Sequence, residues 1–168
     1  ALSLGLVLTL LGNPHRSLSA LIPDSFVPWV HVPASAMLER QAAAIEAVAL
    51  VPGQASVAAD TPLLPLLAER EAVIRFPKYT RYRDRQGAEQ SVDWVVAFPG
   101  YYSPLAPVFK RERKQQRSIR RQLKELHRSG LYRLVHCRGG TVVLQRAADT
   151  ASARSSSADT TNSCPWLD

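Results

Sequence analysis

The sequence predicts an α/β fold: a small, mostly parallel sheet covered by helices, closed by a C-terminal antiparallel hairpin and preceded by the end of a transmembrane helix. Three observations predict it. First, two short apolar runs, 55–59 and 72–76, flank "DTPLLPLLAER", a stretch with helical signals. A strand–helix–strand with so short a crossover reads as a parallel unit. Second, Arg138-Gly139-Gly140 separates the apolar runs 131–137 and 141–145, the signal of a hairpin. Third, the chain opens with eleven uncharged and almost wholly apolar residues, "ALSLGLVLTLL".

Composition bounds the rest. A chain of 168 residues, 46% hydrophobic and 21% charged, suffices for one domain with a real core and is not a disordered polymer. The formal net charge is +7, and most of the basic residues lie between Lys110 and Arg128, with a smaller group between Arg75 and Arg85. Clustered positive charge suits nucleic acid or an anionic lipid surface. Neither a helix-turn-helix nor an aromatic ribonucleoprotein pattern accompanies it, so no nucleic acid partner is expected.

Taken in order, the opening stretch is the first element. Eleven helical residues rise about 17 Å, short of a hydrocarbon core of about 30 Å. Three readings stay open: the end of a truncated transmembrane helix over 1–13, a buried core helix, and a signal-peptide remnant. The first is the expectation carried forward; the third lacks a positive n-region, although Ala34-Ser35-Ala36 resembles a cleavage site. Residues 14–33 hold Pro23, Pro28 and Pro33, which exclude helix and central strand and predict an extended connector. Trp29 within it fits an interfacial anchor or an ordinary packed side chain.

A soluble α/β domain is expected over 34–146. Its first helix, 34–51, takes Ser35 as cap and Glu39 near the capping-box position. Met37, Ile45, Val48 and neighbouring alanines form its apolar side, and Pro52-Gly53 stops it. A strand at 55–59, a helix at 61–70 with Pro62 in its first turn, and a strand at 72–76 follow. Residues 77–91, polar and basic, read as a surface loop. Residues 92–98 form a strand whose near-continuous apolar run suits burial on both faces. After "PGYYSPLAP" a long helix runs over 107–129 to Gly130, and the hairpin ends the domain. The Ser/Thr/Ala/Asp-rich stretch 147–168 reads as a disordered tail. Cys137 in a strand and Cys164 in that tail are expected as free thiols, because a bond would tie a core strand to a segment of disordered composition.

Candidate sites are few. Asp60 and Thr61 end the first strand, where open α/β sheets tend to hold ligands, and Tyr101 follows a later strand. Without a glycine-rich turn there, dinucleotide phosphates lack a close backbone approach, and Asp60 before Thr-Pro also suits a helix cap. The long helix offers Arg113, Arg117, Arg120, Arg121 and Lys124 as an anion-binding surface; a merely solvated face is the plainer reading. Its Phe109, Gln116, Ile119, Leu123 and Leu126 recur at helical spacing and predict the packed stripe. His15, His31, His127 and His136 show no ligand spacing, so no metal is expected. No cofactor or catalytic motif stands out.

Three stretches carry a resemblance: "GQASVAADTPLLPLLAEREAVIRFP", "VDWVVAF" and "GLYRLVHCRGGTVVLQR". Together with Ile22-Pro23 they resemble the C-terminal part of a bacterial family of predicted multi-pass membrane proteins, catalogued as domain of unknown function 2079. That family looks distantly similar to multi-spanning glycosyltransferases that use lipid-linked sugars. Where it often shows Pro-His, this chain has Pro65-Leu66, so any binding role of that histidine is missing here. The resemblance implies an accessory domain on the extracytoplasmic side of the cell membrane, partnered by its own membrane-embedded module, with any catalytic carboxylate elsewhere. Two alternatives stand beside it: a module binding anionic lipid headgroups or polysaccharide through residues 110–128, and a small stand-alone enzyme with a site near Asp60.

Overall fold

The computed structural model describes residues 34–70, 72–147 and 164–168. The expected membrane-helix end and proline-rich connector lie outside the described residues. Among those described, no helix is long and apolar enough to cross a membrane.

The element order is α1 (Ala34–Ala49), β1 (Val57–Asp60), a 3-10 segment (Thr61–Leu67), β2 (Val73–Phe76), β3 (Arg81–Arg83), β4 (Glu89–Ser91), β5 (Trp94–Ala97), a short 3-10 turn (Pro99–Tyr102), α2 (Lys110–Arg128), β6 (Tyr132–Arg138) and β7 (Thr141–Arg146). Five strands form the main sheet in the order β2-β1-β5-β7-β6. β1 runs parallel to both β2 and β5, whereas β7 is antiparallel to β5 and β6. The expected closing hairpin is therefore present, but the sheet expected as mostly parallel is evenly mixed, because β7 enters it antiparallel between β5 and β6.

Alternation along the strands sorts side chains into two cores. Val57, Ala59, Trp94, Val96, Phe98 and Val143 face α1 and the first 3-10 segment, meeting Ala44, Ala47, Leu63 and Leu67. Ala58, Val95, Ala97, Val142 and Leu144 face the other way and meet Ile119 and Leu123 of α2. The sheet is the middle layer of three.

Several local expectations are corrected. Helix α1 already includes Ser35, so that serine lies in its first turn and does not precede it. Its buried side is made by Ala43, Ala44 and Ala47, while Met37 and Ile45 are exposed. Alanines let the helix approach the sheet and the Gly139-Gly140 turn closely. A Cβ on Gly139 would sit 2.6 Å from that of Ala43. The segment expected as a helix over 61–70 is 3-10 over Thr61–Leu67. Pro65 explains this, since an α-helix there would lose a backbone donor and drive the ring into the preceding turn. The expected loop 77–91 contains the β3–β4 hairpin. Asp84 organises its turn, accepting from the backbone N–H of Gln86 and Ala88 at 3.0 and 2.8 Å.

Two corrections concern the C-terminus. Cys137 and Cys164 form a disulfide, with Cα atoms 5.8 Å apart. The last part of the stretch read as a disordered tail is also placed. Cys164 is buried, and Trp166 and Leu167 pack on the core cluster that contains Ile119 and Leu123. Residues 148–163 lie outside the described residues.

Candidate functional site

Two places could carry function: the carboxyl end of the parallel strands and the outer face of α2. At the first, β1 delivers Asp60, whose backbone is extended and whose side chain caps the 3-10 segment as expected. Its Oδ1 accepts from the Thr61 N–H at 2.8 Å and from the Tyr102 hydroxyl at 2.9 Å. Its Oδ2 accepts a longer bond from the Phe98 N–H at 3.4 Å. Asp60 has no exposed surface. Burial raises its pKa above the ordinary 3.8, although the donors Tyr102, Thr61, Phe98 and Gln115 all favour the charged form. Burial also raises Tyr102, helped by the neighbouring Asp60 charge.

Asp60, Thr61 and Tyr101 have different surroundings. Thr61 is exposed, and Tyr101 stands edge-on to Tyr102 with ring centroids 5.3 Å apart. Tyr102, one residue further on, is the one that reaches the carboxylate. The arrangement consumes the carboxylate's acceptors inside the fold, so it can cap and brace. Both carboxylate oxygens are engaged by donors of the fold.

The α2 face differs. Helix α2 buries Ile119 and Leu123 and turns its cations outward. Gly130, at positive φ, lets the chain turn away after the last turn, its N–H donating to the His127 carbonyl at 3.2 Å. A groove of about 590 Å³ is lined, among the described residues, by Lys110, Arg113, Lys114, Arg117, Ser118 and Arg121. Their offsets of three, four, seven, eight and eleven set them on one side of the helix.

These cations are not equivalent. Arg113 is fixed from below, donating from Nε to the Ala106 carbonyl at 2.8 Å and from Nη2 to the Pro107 carbonyl at 2.6 Å. Those acceptors are neutral, so its charge stays uncompensated. Arg121 lies 4.0 Å from Glu125, both well exposed, an arrangement worth little in water. Lys110, Lys114 and Arg117 make no hydrogen bond or ion pair among the described residues.

Of the five residues expected on an anion-binding surface, the groove holds Arg113, Arg117 and Arg121. Arg120 and Lys124 are engaged by the C-terminal residues instead. Arg120 lies over the Trp166 ring at 5.5 Å and donates to the Pro165 carbonyl at 3.1 Å. Lys124 Nζ donates to the Asp168 backbone oxygen. The sequence reading missed this occupancy. Its one signal was Cys164-Pro165-Trp166-Leu167, an apolar island after a long polar stretch.

Residues 1–143 match the model of a family described as Predicted membrane protein (DUF2079). No curated protein and no solved structure matches the chain.

Proposed function

The chain belongs to the predicted membrane protein family DUF2079, and from that premise we propose that residues 34–146 are a non-catalytic accessory domain which turns the α2 groove toward lipid phosphates. The observation that carries the reading is the groove itself: five cations on one helix side, three of them without an internal partner among the described residues. A charged side chain that no carboxylate of the fold neutralises is available to an outside anion. Basic residues close to an anionic leaflet contribute about 1 kcal/mol each.

Phosphate is the shared chemistry of two sources in this setting. One is the headgroup of a bulk anionic lipid. The other is the diphosphate of a lipid-linked sugar, which the domain would help present to a transferase centre in the membrane-embedded part of the protein. The internal use of Asp60 supports an accessory role, since the carboxylate at the end of β1 is engaged by donors of the fold. The disulfide supports the extracytoplasmic side of the cell membrane, because cytosolic thiols are kept reduced. The net charge of +7 pulls toward the cytoplasm, but domains translocate largely regardless of charge.

Vesicle co-sedimentation tests the reading. The chain should pellet with phosphatidylcholine vesicles containing phosphatidylglycerol and stay in solution with phosphatidylcholine alone. Pelleting with neutral vesicles that carry a trace of long-chain lipid diphosphate would identify the second source. Lys110→Glu, Lys114→Glu and Arg117→Glu together should abolish binding while leaving the thermal transition in place. Undiminished binding by that triple variant removes the groove from the function.

A further inference from the structure

We propose that the Cys137–Cys164 disulfide is a thiol-operated clasp on the α2 surface: its reduction by a dithiol frees residues 164–168 and adds Arg120 and Lys124 to the lipid-facing cations. The proposal deepens the groove reading and rests on it.

The geometry places the clasp at the border of the groove. Lys124 follows Arg117 by seven residues and Arg121 by three, so it continues the same helix side by one more turn. Arg120 follows Arg117 by three and flanks it. Both are held by residues 164–168, through the Pro165 carbonyl, the Trp166 ring and the Asp168 backbone oxygen. Trp166 and Leu167 lie on the cluster of Ile119 and Leu123. The bond to Cys137 of β6 ties these few contacts down. Only one end of it, Cys137, falls within the part of the chain that matches the family, since Cys164 lies beyond residue 143.

Opening the clasp takes two exchange steps. One thiolate of a dithiol attacks a sulfur of the bridge, forms a mixed disulfide and expels the other cysteine as thiolate, which takes up a proton. The second thiol of the reductant then attacks the mixed disulfide and expels the remaining cysteine. The protein gains two electrons and two protons as two thiols, and the dithiol becomes a disulfide. Arg120 and Lys124 then turn to solvent beside Arg117 and Arg121. The freed Trp166 gains access to the interfacial layer, where tryptophan is enriched.

The test uses the full chain, vesicles of phosphatidylcholine with and without phosphatidylglycerol, and dithiothreitol as the dithiol. The reduced chain should bind anionic vesicles roughly tenfold or more tightly than the oxidised chain, from two additional surface cations. Neutral vesicles should show no such gain. Arg120→Gln with Lys124→Gln should return the reduced chain to the oxidised level and leave oxidised binding unchanged. A chain ending at Cys164 keeps the bridge and should bind as the reduced chain does, which covers the case in which reduction unfolds the domain. Equal binding by the oxidised chain and this shortened chain overturns the clasp. Equal loss from the Gln pair in both redox states does so too. If the oxidised chain fails to bind but the shortened one binds through Arg120 and Lys124, the clasp stands and the groove reading falls. Binding by neither overturns both.

Discussion

The Tyr102 hydroxyl donates to Asp60 Oδ1 over 2.9 Å, bridging the end of β1 and the 3-10 turn that follows β5. Both groups are buried, and the carboxylate also holds two backbone N–H groups. Tyr102→Phe removes one donor and leaves the rest of the buried acid in place. A charged group short of a hydrogen bond in such a setting costs about 1–3 kcal/mol. Urea unfolding should report that loss, while co-sedimentation with anionic vesicles should not change.

The same carboxylate gives folding a pH dependence. Burial raises the Asp60 pKa above its unfolded value, so the folded chain keeps the proton where the unfolded chain has released it. The stabilisation is fully present below the unfolded pKa and is lost as the pH rises through the folded one. Asp60→Asn cannot ionise and lacks this loss, although its amide meets donors and lowers stability at every pH. Melts taken in steps upward from about pH 3.8 should show the wild-type chain losing stability relative to Asp60→Asn. A constant difference across the range would assign no titration to Asp60.

A close backbone crossing offers an independent check on the sheet. Gly140 has φ 82°, and a Cβ there would lie 2.8 Å from the Gly100 Cα. The Gly100 N–H donates to the Gly140 carbonyl at 3.0 Å, holding the hairpin turn against the loop after β5. Gly87 has the same φ of 82°, but nothing lies within 4 Å of its would-be Cβ. Gly87→Ala should therefore cost only the conformational strain, about 1 kcal/mol. Gly140→Ala adds a backbone clash and should cost about 2–4 kcal/mol. Similar melting temperatures for the two variants would deny the crossing.

The sequence made some of this legible because pattern and packing agree. Short apolar strands around a crossover of some ten residues leave the chain little choice but parallel pairing of β1 with β2. Paired glycines between apolar runs mark the β6–β7 turn, where both adopt positive φ. The stripe through Ile119 and Leu123 is unambiguous among so many cations. Other features carry no such pattern. Strands β3 and β4, "RYR" and "EQS", place charged or polar residues on both faces and pair through a turn held by Asp84, so they read as loop. The disulfide joins residues 27 apart in sequence across a polar stretch, and local composition says nothing of such a partner. The candidate site divides the same way. Basic residues reveal that a helix is cationic, but only the fold shows Arg120 and Lys124 held by the C-terminal residues.

Helix α1 supplies the last prediction, because hydrophobicity and burial disagree there. Ile45 is 52% exposed and Leu38 66%, whereas Ala47 is wholly buried. The buried positions lie where α1 packs on the sheet, with Ala44 and Ala47 in the same cluster as Val57, Val96 and Val143. Ala47→Leu forces three extra carbons into that contact and should cost about 1–3 kcal/mol. Ile45→Ser exchanges an already hydrated side chain and should stay within about 0.5 kcal/mol of wild type. The ordering is the reverse of what side-chain hydrophobicity alone dictates. Chemical denaturation of the two variants decides it. A large loss from Ile45→Ser with none from Ala47→Leu would mean that α1 presents the opposite side to the sheet, and with it the α1-side core would have to be rebuilt.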